Sequence, residues 1–209
     1  MYNTSYFKEK DLNQILEFIR EHPFAFITGS FNDGTQVATQ VPCLLVERDG
    51  EYFIQAHLMR KTDHHRAFLE NPNALVVFTG PHTYVSATWY SDARMGSTWN
   101  YMSVHVSGEV RLLEDAELGQ FMKDLTLRFE GGNTESPTYF DNLPNEYLAS
   151  KMPAIIGFEL KLEKIDNVFK LSQNKDEESY RKIISELEKQ EGDSAKIAKE
   201  MKKRIEELF

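Results

Sequence analysis

Apolar residues near the start of the chain recur at helical spacing: Leu12, Ile15, Leu16 and Ile19 share one helix face. His22-Pro23 ends that helix, because proline pushes the residue before it out of helical geometry. From Phe24 onward the pattern changes to short apolar runs separated by turn residues. Residues 24–30 predict a strand, and Asn32-Asp33-Gly34 a turn in which glycine enters positive φ freely. Residues 35–47 predict a long strand bent at Pro42, since proline removes a ladder donor. Asp49-Gly50 makes the next turn, 51–57 a third strand, and 63–69 a short helix stopped before Asn71-Pro72. Residues 75–79, 83–86 and 102–113 predict further strands. Leu118, Phe121, Met122, Leu125 and Phe129 return to helical spacing and stop at Gly131-Gly132. Residues 133–147 read as a loop with a short helix near its end. Residues 155–165 and 168–172 predict a closing hairpin through Asp166-Asn167.

After Gln173 the composition shifts towards charge. Tyr180, Ile183, Ile184 and Leu187 form one amphipathic stripe, Gly192-Asp193-Ser194 breaks it, and Ile197, Met201, Ile205 and Leu208 form a second. Neither helix can bury its stripe alone, so docking on the body or on a partner subunit is expected. Short, closely spaced strands with few helices predict an α+β chain, mainly β, built as an antiparallel barrel with peripheral helices. The expected division is a barrel domain over 1–173 and a C-terminal helical appendage over 174–209.

Charge narrows the choice of partner. The chain of 209 residues carries a net charge of −9 and a pI near 5.2, which argues against an extended basic face for DNA or an anionic membrane. The body through Gln173 holds 15 basic and 23 acidic residues, and the tail 9 and 10, so no basic arm is hidden in either part. The single cysteine, Cys43, excludes an internal disulfide and fits a reducing compartment. No charged-then-apolar leader opens the chain, and no apolar run approaches the ~20 residues that span a bilayer. A soluble, cytoplasmic protein is expected. Metal sites are unsupported: adjacent His64 and His65 on a helix cannot face one ion together. Cys43 lies in an apolar strand and reads as packed. Neither a GxGxxG nor a P-loop is present.

The candidate chemistry concentrates in two aromatic segments, Gly80-Pro81-His82-Thr83-Tyr84-Val85-Ser86-Ala87-Thr88-Trp89-Tyr90 and Thr98-Trp99-Asn100-Tyr101. Aromatic rings beside small hydroxyl and amide groups suit a planar, polar ligand ring. The same tryptophans read equally as core or subunit-contact residues. His57-Leu58-Met59-Arg60-Lys61 closes the third strand; on the residues alone, Arg60 and Lys61 are two solvated charges opening a helix. Alternation places Ser103, His105 and Ser107 on the face opposite Val104 and Val106, and His105 reads as a satisfied, half-buried histidine.

Together with residues 2–7, His22-Pro23-Phe24-Ala25, Ala154-Ile155-Ile156-Gly157-Phe158-Glu159 and Lys170-Leu171-Ser172-Gln173-Asn174-Lys175, these segments run in one order along most of the chain. In that order the chain resembles the PaiB family, FMN-binding split-barrel proteins often labelled negative transcriptional regulators. The resemblance implies a split barrel, a homodimer with flavin at the subunit interface, and FMN as cofactor. It implies Arg60 and Lys61 on the flavin phosphate, with His57 as a further donor. It places Ser86, Trp89, Thr98, Trp99 and Asn100 at the ring, with Ser103 or His105 nearby, and Lys170 and Gln173 completing the site from the other subunit. Relatives usually carry proline where Ala87 and Ser97 stand, and a longer loop than 91–96. The implied function is flavin-dependent redox chemistry, as an oxidoreductase, or sensing linked to transcriptional regulation. The alternatives are a direct DNA-binding repressor and a haem-binding relative. Direct DNA binding is the weaker reading, because Lys196, Lys199, Lys202, Lys203 and Arg204 are interleaved with glutamates and no helix-turn-helix is evident.

Overall fold

The computed structural model describes residues 3–92 and 94–209, so Tyr2 and Ala93, which fall in two of the segments above, lie outside the described residues. The strands are β1 (Phe24–Ser30), β2 (Gln36–Pro42), β3 (Leu44–Arg48), β4 (Glu51–Met59), β5 (Asn73–Val85), β6 (Thr98–Leu112), β7 (Ile155–Lys161) and β8 (Lys164–Lys170). They form an eight-stranded sheet in the order β2-β1-β5-β6-β7-β4-β3, with β8 pairing β6 off that path. The helices are α1 (Leu12–Glu21), α2 (Asp63–Glu70), α3 (Asp115–Phe129), α4 (Asn145–Lys151), α5 (Glu177–Leu187), α6 (Asp193–Lys202) and α7 (Ile205–Leu208). By contacts the chain groups into two compact units. A central unit holds Ile19–Phe78 and His105–Ile165; a terminal unit holds the segment through Phe18, Thr79–Val104 and Asp166–Phe209.

In the central unit, antiparallel pairing joins β1 to β2 and β5, β3 to β4, and β7 to both β4 and β6. The pleat sorts side chains to two faces. On β4, Ile54, Ala56 and Leu58 are buried on one face, and Phe53, Gln55 and His57 line the other. That second face of the β3-β4-β7 region is covered by α3, whose Leu118, Phe121 and Leu125 join Leu44 and Leu113 in one apolar cluster. Close docking here depends on Gly157: a Cβ there would stand 2.8 Å from Leu113 Cδ1 and 3.1 Å from Leu118 Cδ1. A capping box at Glu114 and Glu117 fixes where α3 starts. On the other side, α2 packs Phe68 against Phe158 at 5.7 Å and over Gly29, where a Cβ would meet Phe68 at 2.9 Å.

A polar lock completes the covered face. Glu159, 6% exposed, accepts hydrogen bonds from Arg48 Nη2 (2.6 Å), Gln55 Nε2 (3.1 Å), Arg111 Nε (2.9 Å) and Arg111 Nη2 (2.7 Å). Arg111 also holds Glu117 of α3 through both carboxylate oxygens, at 2.9 and 2.7 Å. These bonds hold Glu117 well below the ordinary carboxylate range, at about 2, and raise Arg111 further above its usual value.

In the terminal unit, the stripe Tyr180, Ile183, Ile184 and Leu187 is buried on α5, and Ile197 and Met201 on α6. Tyr180 Oη donates to the Met201 carbonyl at 3.0 Å, and Lys202 pairs with Glu188. Asp176 caps α5, accepting from Ser179 N at 2.9 Å.

Several elements differ from the sequence reading. The predicted long strand at 35–47 is two strands, β2 and β3, parted at Cys43 and standing at opposite ends of the strand order. The predicted strands at 75–79 and 83–86 are one strand, β5: burial passes from Ala74, Val76 and Phe78 to Pro81, Thr83 and Val85, slipping by one residue without a break. Asp166-Asn167 is not a hairpin turn but lies inside β8, which pairs β6. The Asn167 amide donates to Glu9 O (3.0 Å) and accepts from Glu9 N (2.8 Å), a long-range pairing that local turn propensity does not reveal. The last helix divides at Lys203-Arg204, where the Arg204 guanidinium reaches both Glu200 (3.1 Å) and Glu9 (3.4 Å).

Candidate functional site

Arg60 and Lys61 close β4 and lead into α2. Arg60 does not wave in solvent: its Nε donates to the Ile155 carbonyl at 2.8 Å, while its Nη2 stands 3.8 Å from the exposed Asp115. A guanidinium pinned through Nε keeps its outer edge for a ligand, and Arg60 lines an open cleft of about 470 Å³ with Asp115, Leu118, Met152 and Pro153. Lys61 takes a left-handed conformation (φ 68°), and its N–H donates to His65 Nδ1 at 3.0 Å. Thr62 then caps α2 by accepting from His65 N at 3.3 Å. The two cations therefore sit just before a helix N-terminus, where backbone dipoles favour negative charge. His65 is depressed by partial burial and by the charge of Arg60.

His57 faces away from that turn. Its ring packs against Phe121 beneath α3 with centroids 5.9 Å apart, and its buried Nδ1 has no hydrogen-bond partner among the described residues. Burial lowers its pKa, so the ring is kept neutral. His105 is half-buried on β6, with Val104 and Val106 fully buried on the opposite face as alternation predicts.

The remaining candidates belong to the terminal unit. Ser86 turns its hydroxyl onto Thr88 Oγ1 at 2.8 Å and caps the short 3-10 helix Ala87–Trp89, which leaves Trp89 half-buried. Trp99 is 53% exposed and lies beside His82 (6.0 Å) and Tyr84 (6.1 Å), an open aromatic cluster on β5 and β6. Asn100 is fully buried: it accepts from Ser172 Oγ at 3.0 Å and points Nδ2 at Met201 Sδ, 3.5 Å away. One end of its amide thus ties β6 to the turn after β8, and the other to α6. Ser103 is 7% exposed. Lys170 Nζ donates to Thr98 Oγ1. Gln173 folds back on its own turn, donating to Phe169 O at 2.5 Å and accepting from Leu171 N at 2.8 Å, around Ser172 with φ 63°. Lys170 with Thr98, and Trp99 with its aromatic neighbours, are brought together; Ser86, Asn100 and Gln173 are occupied by local or interior bonds.

Two residues with no role in the sequence reading stand out. Tyr90 is 5% exposed with a buried hydroxyl that lacks a partner among the described residues, and Lys175 Nζ lies 3.8 Å from the centre of its ring. Both occur in the quoted motifs, yet nothing local marks a contact between positions so far apart in sequence. Cys43 is buried, and burial pushes its thiol up to about 12, so it is packed and unreactive. Among the described residues no group of His, Cys, Asp or Glu is placed to hold a metal ion, and no helix is long and apolar enough to cross a membrane.

Residues 1–164 match a family model described as "Putative FMN-binding domain". The protease synthase and sporulation protein PAI 2 of Bacillus subtilis is 33% identical over 201 residues, covering 96% of each chain. The chain belongs to the PaiB family. The PaiB-type match to PAI 2 extends beyond the family model and into the tail helices. Among solved structures, the flavocytochrome Anf3 from Azotobacter vinelandii superposes with a TM-score of 0.60 at 19% identity, covering 87% of this chain and 78% of that one. An FAD- and haem-binding protein from Mycobacterium smegmatis gives 0.59 at 18% identity, covering 78% and 72%. At these identities the likeness is one of fold: a split barrel with an eight-stranded antiparallel sheet and helices.

Proposed function

We propose that this PaiB-family protein binds FMN and serves as a flavin-dependent redox or sensing protein, homodimeric and cytoplasmic, whose link to transcription is indirect. The match of residues 1–164 to the FMN-binding family carries this reading. Arg60 and Lys61 fit a phosphate: one guanidinium is oriented by the Ile155 carbonyl, and one left-handed lysine precedes a capped helix N-terminus. Bound FMN would supply the electron transfer, and the chain would supply position and electrostatics. Arg60 would hold the phosphate, and the Ile155 carbonyl would hold Arg60.

Dimerisation is supported by an uncovered apolar strip in the central unit. Phe24 and Phe26 on β1 are 58% and 42% exposed, and Phe26 stands opposite half-buried Val77. Large exposed aromatics in one strand are characteristic of interface cores. Sedimentation at micromolar concentration should give a dimer; a stable monomer would contradict it.

The flavin reading is tested by spectrum and titration. Bands at about 370 and 450 nm, from flavin chemistry, are expected in the purified protein or after adding FMN. Arg60→Ala should weaken FMN by roughly ten- to hundredfold, the worth of a charge-assisted contact of about 1.5–3 kcal/mol, and leave riboflavin unchanged. Equal weakening of both ligands would mean that Arg60 shapes the pocket without holding phosphate. A Soret band with no flavin uptake would replace flavin with haem.

A further inference from the structure

The cleft beside Arg60 is larger and more apolar than a phosphate needs. At about 470 Å³ it falls within the roughly 300–1,000 Å³ of pockets that hold whole small molecules. Its apolar walls are Leu118 from α3, and Met152 and Pro153 from the 3-10 turn Met152–Ala154 that leads into β7. These walls are fixed: Leu118 is 1% exposed within the α3 cluster, and Met152 packs against that cluster. The cation is tied to the same turn. Arg60 N donates to the Ala154 carbonyl at 2.8 Å, and Arg60 Nε to the Ile155 carbonyl at 2.8 Å. An acid also lines the cleft. Asp115 stands in the first turn of α3, which the capping box positions, and its Oδ1 lies 3.8 Å from Arg60 Nη2. Its side chain is 98% exposed, so the fold takes up little of the carboxylate. A negative charge this close to the guanidinium opposes a bare phosphate, yet a carboxylate is the group that accepts from ribose hydroxyls.

We propose that this cleft is a subsite for a nucleoside 5′-phosphate. Arg60 holds the phosphate, Asp115 accepts from the ribose hydroxyls, and the base lies against Leu118, Met152 and Pro153. A polarizable thioether among apolar neighbours suits the flat face of an aromatic base. The subsite rests on the flavin reading for the phosphate at Arg60, and extends it by setting a nucleoside beside that phosphate. A flavin mononucleotide alone would leave Asp115 and the apolar walls unused. Two sources carry the missing chemistry: the nucleotide half of a flavin dinucleotide, or a free nucleotide.

The test uses the full-length protein as purified, with flavin absorbance recorded first so that bound cofactor is known. FMN, FAD, 5′-AMP, 2′-deoxy-5′-AMP and inorganic phosphate are titrated by calorimetry at constant ionic strength. AMP should bind about tenfold or more tightly than inorganic phosphate, and about three- to tenfold more tightly than its 2′-deoxy form. It should also compete with FMN, since both place a phosphate on Arg60. FAD bound about tenfold or more tightly than FMN assigns the cleft to a dinucleotide; equal flavin affinities, with AMP bound, assign it to a free nucleotide. Asp115→Ala alters an exposed side chain, so the variant should fold. It should lose the preference for AMP over the 2′-deoxy form, a readout that a purely structural role would leave alone. Retention of that preference would overturn the subsite. AMP no tighter than inorganic phosphate, with FAD no tighter than FMN, would refute the subsite while flavin uptake kept the flavin reading. AMP binding without uptake of either flavin would keep the subsite and remove the flavin reading.

Discussion

Replacing Glu159 with alanine is the sharpest test of how the covered face is held. The carboxylate is 7% exposed and receives four hydrogen bonds from three side chains, Arg48, Gln55 and Arg111. Stripping one partner from a fully buried ion pair costs about 3–5 kcal/mol. Here the arginines are 42% and 49% exposed, so water can recover part of the loss. Arg111 also keeps both contacts to Glu117, and Arg48 stays over the Phe53 ring at 4.1 Å. Gln55 and Arg48 each lose their side-chain acceptor outright. The expected cost is therefore reduced to about 2–3 kcal/mol, or a melting point lower by roughly 5–10 °C for a chain of this size. Urea unfolding followed by circular dichroism and fluorescence measures it, and Glu159→Gln, which keeps one acceptor, should cost less. A double-mutant cycle with Arg111→Ala should show coupling of about 1 kcal/mol or more. A loss below about 0.5 kcal/mol, or strict additivity, would refute the claim that this carboxylate locks β3, β4, β6 and β7 together.

Gly157→Ala should destabilise by about 1–3 kcal/mol, because the new methyl group meets Leu113 and Leu118 in a packed cluster; denaturant midpoints measure it, and a neutral result would mean α3 shifts freely. Glu117 has a folded pKa depressed to about 2, so its contribution is complete above the ordinary carboxylate pKa and is lost as pH falls from about 4.5 towards 2; the stability drop over that window should shrink in Glu117→Gln. Binding to a promoter fragment at near-physiological salt should be weak and no tighter than to scrambled DNA. Lys182, Lys189, Lys196, Lys202 and Lys203 each pair with a carboxylate, leaving few cations to displace counterions; nanomolar, sequence-dependent binding would overturn this.

The strands and helices were legible wherever local pattern and tertiary demand agree. β1 matches its predicted bounds, and α3 buries Leu118, Phe121 and Leu125 of the predicted stripe, although Phe129 at its end is exposed, because alternation and helical spacing record which face is buried. Local punctuation misled where a distant partner satisfies the residue instead. Gly80-Pro81 looks like a break, yet Pro81 is buried within a continuous strand; Asp166-Asn167 looks like a turn, yet Asn167 is engaged with Glu9. The candidate site divides in the same way. That Arg60 closes a strand before a helix is a local fact, and the sequence shows it. That a carbonyl from β7 orients its guanidinium is a contact between positions 60 and 155, which no local pattern encodes.

The same distinction separates the residue types that the resemblance groups together. Asn100 and Gln173 have amides whose donors and acceptors are already matched within the fold, so a ligand could engage them only by breaking bonds at Ser172, Met201 or Phe169. The Tyr90 hydroxyl is a contrasting case, buried and without a partner among the described residues, and recognition needs capacity that folding leaves unspent. Residue type identifies which side chains are able to bind a polar ligand. Only the hydrogen-bond partners of each one in the folded chain show which are still free to do so.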